Sequence, residues 1–136
     1  MQTFILKTVA DAMSKEVVTV SPDTKISELV ALFEEHRFNM FPVVEAGKMI
    51  GVVSEYDFLK IFIFTNKEML PKYDHLLKKT VSEVISSSQN MSPDQPLTRV
   101  LELMVQSMYR SFPVVDAAGD LVGVIARRDL IKALGI

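Results

Sequence analysis

The chain has 136 residues, 49% hydrophobic and 24% charged, which suits one compact core-forming domain. Its net charge is −2 with no basic block beyond Lys78-Lys79, so it lacks the cation cluster that broad nucleic-acid binding needs. It contains no cysteine, which excludes disulfides, thiol nucleophiles and thiolate metal sites. The opening stretch, MQTFILKTVADAM, has neither the basic region nor the long apolar core of a signal peptide. The longest apolar run, Phe58 to Phe64, is broken by Lys60 and is too short for membrane insertion. A soluble cytoplasmic protein is expected.

Residues 1 to 8 read as a leader, and Val9 to Met13 (VADAM) as one helical turn. Val17 to Val20 is short and β-branched, a strand. Ser21-Pro22-Asp23-Thr24 is a turn that supplies a helix N-cap. Ile26, Leu29, Val30 and Phe33 then recur at i, i+3, i+4 and i+7, the apolar face of a helix ending near His36. Phe41 to Val44 is a strand, with Pro42 suited to an edge or first-residue place. Ala46-Gly47-Lys48 turns the chain, Met49 to Val53 returns, and a second helix runs from Glu55 to Phe64.

A connector follows, residues 65–80, broken by Pro71 and polar enough to be exposed. Then the pattern restarts. Val81 to Ile85 (VSEVI) matches VADAM, and Ser92-Pro93-Asp94 matches Ser21-Pro22-Asp23. Leu97, Val100, Leu101, Met104, Val105 and Met108 form a helical stripe, with Pro96 at the first helical position. Phe112 to Val115 and Leu121 to Ile125 are the strand pair, and Arg127 to Leu134 is the closing helix.

Ser21 to Ser92 and Pro42 to Pro113 are offset by 71 residues, while Gly51 to Gly123 and Asp57 to Asp129 are offset by 72. The added residue falls in the turn Asp116 to Asp120, where insertions are tolerated. This register marks a duplication: a first repeat at 1–64 with its core at 9–62, and a second at 81–136. Each half is small for an independent core. The expected fold is α/β (α+β), with two β-α-β-β-α repeats packed face to face about a pseudo-twofold axis and two related clefts between them.

The paired motifs are FPVVE with GVVSEYD, and FPVVD with GVIARRD. Together with VADAM, VSEVI and the two Ser-Pro-Asp turns, they resemble a tandem pair of CBS domains, or Bateman module, over nearly the whole chain. The resemblance implies a stand-alone, non-enzymatic regulatory protein. Such modules bind adenosine-containing ligands such as AMP, ADP, ATP or S-adenosylmethionine and signal to a partner by conformational change. It implies no required cofactor, a homodimer and a regulated protein whose identity the sequence does not name.

Within the resemblance, the Asp of the Gly-x-x-Ser/Thr-x-x-Asp motif accepts hydrogen bonds from ribose hydroxyls and the Ser/Thr contacts phosphate. Repeat 1 carries the full motif, Gly51 to Asp57, with Ser54, Tyr56 and Asp57 as implied ligand residues. Thr19, Val20, Ser21, Pro42 and Val43 are the implied wall for the base, read through backbone groups. From the residues alone, Ser54 and Asp57 are equally a capping box that starts a helix. Repeat 2 has Ala126 in place of the hydroxyl, so Asp129 lacks its capping partner. Arg127, Arg128 and Arg110 are candidate phosphate contacts there, or surface cations, with Pro113 and Val114 as the wall. Repeat 1 is the expected better ribose site and repeat 2 the degenerate one.

Phe58, Ile61 and Phe62 lie on a helix that is apolar almost all round, the expected dimer interface, with an intramolecular core as the alternative. The two histidines, His36 and His75, have no paired carboxylates at ligand spacing, so no metal site is expected. No catalytic constellation is found. The rival functions are a ligand-free dimerisation and protein-interaction platform, and an enzyme acting on nucleotides.

Overall fold

The computed structural model describes residues 3–63 and 73–136. The elements in chain order are α1 (Val9–Ala12), α2 (Ile26–Glu35), β1 (Met40–Glu45), β2 (Lys48–Ser54), α3 (Glu55–Lys60), α4 (Tyr73–Leu77), α5 (Leu97–Ser107), β3 (Ser111–Val115), β4 (Leu121–Ala126) and α6 (Arg127–Leu134). Short 3-10 turns occupy Phe4–Leu6 and Val81–Glu83. The fold is mixed helix and strand, with two small antiparallel sheets, β1–β2 and β3–β4. Pairs in the second run from Ser111↔Ala126 to Val114↔Gly123, followed by a register shift.

The chain divides into two compact units that are not the two sequence repeats. Within the described residues, one unit holds 18–46, 50–63 and 73–87, and the other holds 3–17, 47–49 and 88–136. The segment that leads into each repeat therefore belongs to the unit built on the other repeat's hairpin. We call them the Asp57 unit and the Asp129 unit.

Each hairpin gains one paired residue on either edge. In the Asp57 unit, Val20 bridges Val43 in parallel and Ser86 bridges Val52 antiparallel; in the Asp129 unit, Met91 bridges Val114 and Ser14 bridges Val124 in the same senses. The strand expected at Val17 to Val20 is thus a single bridge. Val20 donates to the Pro42 carbonyl at 3.0 Å and accepts from the Val44 N–H at 2.9 Å, while residues 17–19 pair with nothing in the sheet. The three-stranded sheets of the sequence reading become two-stranded ones with a bridge on each side.

Pro42 is the third residue of β1 and is flanked on both sides, not an edge or first residue. Its carbonyl faces Val20, and in a strand a residue's N–H points the same way as its carbonyl. The missing donor therefore falls on the sparsely bridged side and costs the β1–β2 ladder nothing. Pro113 repeats this, with its carbonyl accepting from the Met91 N–H at 2.8 Å.

Other expectations shift for identifiable reasons. Residues 3 to 8 of the expected leader are packed, and residues 1 and 2 lie outside the described residues. Phe4 is buried in the core of the Asp129 unit with Val9, Leu97 and Val100, and the Leu97 N–H donates to the Lys7 carbonyl at 3.0 Å. The Ser21–Thr24 turn does not cap α2: Lys25 is the N-cap residue, and the Ser21 N–H donates to Thr24 Oγ1 at 3.0 Å instead. Pro96 is the N-cap of α5 and not its first helical residue. The expected α5 stripe separates into two rows, with Leu97, Val100 and Met104 buried and Leu101, Val105 and Met108 exposed. The helix expected from Glu55 to Phe64 is α3, which ends at Lys60 and continues as a turn through Ile61 and Phe62. Phe64 and the Pro71 break lie outside the described residues.

Gly51 is required by a close approach. A Cβ there would stand 2.6 Å from the Ser86 carbonyl oxygen and 2.9 Å from the Ile85 side chain. Gly123 meets Met13 and the Ser14 carbonyl oxygen at 2.8 Å in the equivalent place. Gly51→Ala is expected to destabilise the protein by about 1–3 kcal/mol, the range for overpacking a filled site. Urea unfolding checks this.

Candidate functional site

The strand-to-helix junctions place one carboxylate in each unit. Ser54 ends β2 with extended backbone and Asp57 sits in the first turn of α3. The Ser54 hydroxyl accepts from the Asp57 N–H at 3.1 Å, and Asp57 Oδ2 accepts from the Ser54 N–H at 2.9 Å. The capping box is therefore formed. It does not exhaust the carboxylate. Oδ2 also accepts the Ser86 hydroxyl at 2.8 Å, and the Lys60 ammonium lies 3.8 Å from Oδ1. Asp57 is only 9% exposed, so burial of its charge is offset by these donors.

Asp129 sits at the same place on α6. Its Oδ2 accepts the Ala126 N–H at 2.8 Å, which is half of the box, because Ala126 has no oxygen to return the bond to the Asp129 N–H. Asp129 borders a cavity of about 460 Å³ lined by Lys7, Asp11, Ala12, Met13, Ser14, Lys132 and Ala133. Lys7 is held at its rim by donating from Nζ to the Ala133 carbonyl at 3.2 Å. The volume is within the range of small-ligand sites, roughly 300–1,000 Å³. The cavity offers two carboxylates, Asp129 and Asp11, as acceptors and two ammonium groups as anion partners.

The residues alongside each carboxylate come from the opposite repeat. Ser86 N–H donates to the Val52 carbonyl at 2.9 Å and the Val52 N–H returns a bond at 3.0 Å; Ser14 and Val124 do the same at 2.8 and 3.0 Å. Ser14 and Ser86 were not singled out by the sequence reading. The signal was present: they are 72 residues apart, the same offset as Gly51 to Gly123 and Asp57 to Asp129.

A CBS domain family model matches residues 9–63 and again residues 81–136. The chain belongs to the CBS domain family. The tandem CBS pair is 34% identical over 125 residues to the uncharacterized protein MJ0188 of Methanocaldococcus jannaschii, covering 92% of this chain and 43% of that protein. It is 32% identical to the CBS domain-containing protein YhcV of Bacillus subtilis, covering 92% and 84% of the two chains. The chain thus spans less than half of one relative and most of the other. Among solved structures, that of CBSX2 in complex with AMP is similar at a TM-score of 0.78 and 25% identity, over 93% of this chain and 95% of that one; CBSX2 is an Arabidopsis thaliana protein.

The CBS pair distributes the remaining expected site residues unevenly. Val43 and Val114 are fully buried in their cores, and Pro42, Pro113 and Val20 are buried. These residues can reach a ligand only through backbone, and the N–H and carbonyl of Val20 are already paired. Thr19, Ser21 and Tyr56 are exposed, and no hydrogen bond among the described residues joins Thr19 or Ser21 to Asp57. Arg110, Arg127 and Arg128 are exposed, with the Arg110 carbonyl accepting the Arg127 N–H at 3.1 Å. Phe58, Ile61 and Phe62 pack against the core of the Asp57 unit, Phe58 lying 5.5 Å from Phe33 and 5.2 Å from Phe62 between ring centres. All three are half-buried, and Leu59 and Ile63 beside them are exposed. Among the described residues, no group of three or more His, Asp or Glu side chains could hold a metal, and no helix is long and apolar enough to cross a membrane.

The half-formed box at α6 gives a direct check. Ala126→Ser supplies the missing N-cap acceptor at a position with suitable extended backbone, φ −115° and ψ 169°. It is expected to stabilise the protein by about 1 kcal/mol, read as a shift of the denaturation midpoint.

Proposed function

We propose that this CBS pair is a cytoplasmic regulatory module that binds an adenosine-containing ligand, AMP, ADP, ATP or S-adenosylmethionine, and has no catalytic role. Asp129 and Asp57 each receive a ribose hydroxyl. The observation that carries the reading is Asp129, a carboxylate with an oxygen to spare at the wall of a ligand-sized cavity. Lys7 and Lys132 line the same cavity, which supports them as phosphate partners. The complex of CBSX2 with AMP supports the ligand class. Binding draws the groups around each carboxylate together, and a partner protein reads the change. Such a signal requires that the ligand bind the two states unequally.

The protein is also proposed to form a homodimer. Supporting this, Leu101 and Val105 on α5 and Met108 at its C-cap are exposed apolar residues, and Ile131 is exposed on α6. The same residues favour a second reading, a ligand-free dimerisation and interaction platform.

Calorimetric titration with AMP, ATP and S-adenosylmethionine, alongside sedimentation, separates the two. The sensor reading expects saturable binding by a dimer, weakened tenfold to a hundredfold by Asp129→Ala. That is the effect of losing a hydrogen bond to a charged acceptor, about 1.5–3 kcal/mol. A dimer that binds none of the three favours the platform. Turnover of a bound nucleotide contradicts the non-enzymatic reading.

A further inference from the structure

We infer that the Ser86 hydroxyl is an internal competitor for the Asp57 carboxylate, so that ligand fills the Asp129 site before the Asp57 site. This rests on the ligand reading above and adds to it an order of occupancy and the residue that sets it. The two junctions share one backbone frame. Ser86 is paired with Val52, and Ser14 with Val124, through the same two hydrogen bonds. The hydroxyls differ. Ser86 Oγ donates to Asp57 Oδ2 at 2.8 Å, whereas among the described residues no bond joins Ser14 to Asp129. Ser14 is exposed and lines the cavity beside its carboxylate.

A hydroxyl donating to a carboxylate is the contact that a ribose would make. At Asp129 a ligand hydroxyl adds such a bond. At Asp57 the Oδ1 oxygen has only Lys60 at 3.8 Å and can take one ribose hydroxyl, but a second ribose hydroxyl reaching Oδ2 must replace the Ser86 bond already made there, and that exchange gains far less. The displaced Ser86 hydroxyl has somewhere to go, because the Val52 carbonyl oxygen stands 3.4 Å away. The closure is therefore reversible. Ser54 cannot play this part, since its hydroxyl accepts from the Asp57 N–H and does not bond the carboxylate.

The test isolates the Asp57 site by working in an Asp129→Ala background, with AMP as probe. Adding Ser86→Ala is expected to tighten AMP binding about tenfold, the lower end for a hydrogen bond to a charged acceptor. Damage to the fold does not produce a gain in affinity. Should Ser86→Ala fail to fold, Ser86→Cys keeps the volume with a weak donor and carries the same expectation. Binding by the wild type with unchanged or weaker affinity on removing the hydroxyl overturns the competitor and leaves the sensor intact. No AMP, ATP or S-adenosylmethionine bound by the wild type or any variant removes the sensor reading and the competitor with it.

Discussion

Four backbone hydrogen bonds hold this architecture in place: the reciprocal pairs between Ser14 and Val124 and between Ser86 and Val52. A two-stranded hairpin on its own is marginal and leaves open edges. Here the outer edge of each hairpin is taken by a segment that leads into the other repeat. Neither repeat can complete its unit from its own consecutive residues. The glycine in each motif follows from this, because the incoming segment runs so close that Gly51 and Gly123 have no room for a side chain. A residue type that could be read as a ligand contact has a packing reason.

The same crossing puts chemistry next to the carboxylates. Each Asp closes part of its own helix start and so is fixed in direction before any ligand arrives. What differs is the surroundings. Asp57 is enclosed, with a serine hydroxyl, a backbone N–H and a distant lysine around it. Asp129 has one backbone donor and a cavity edged by Lys7, Lys132 and Asp11. The loss of the hydroxyl at Ala126 weakens the helix cap, yet the cavity is found at this junction. A degenerate motif and an accessible site coincide, because the motif letters report capping while accessibility depends on the neighbouring segment.

The duplication, the hairpins and the buried faces of α2 and α5 were legible in the sequence, since each leaves a side-chain periodicity. The two aspartates were legible for the same reason, as a repeated spacing. The bridge at Val20 was legible only as a longer strand, and those at Met91, Ser14 and Ser86 were not, because they are made by backbone alone and leave no side-chain pattern. Phe4 reads as part of a leader until Leu97 and Val100 are seen around it. Phe58, Ile61 and Phe62 read as an intermolecular face because an all-round apolar helix has no single direction. The ring contact of Phe58 with Phe33 turns part of this segment inward, while Leu59 and Ile63 stay exposed.

The central claim is that the junction carboxylates are the ribose acceptors of a ligand site. A crystal structure of the protein grown with AMP tests it most directly. The expected complex has ribose hydroxyls within hydrogen-bond distance of Asp129, with the phosphate toward Lys7 and Lys132. AMP bound with its ribose away from both Asp129 and Asp57 would contradict it.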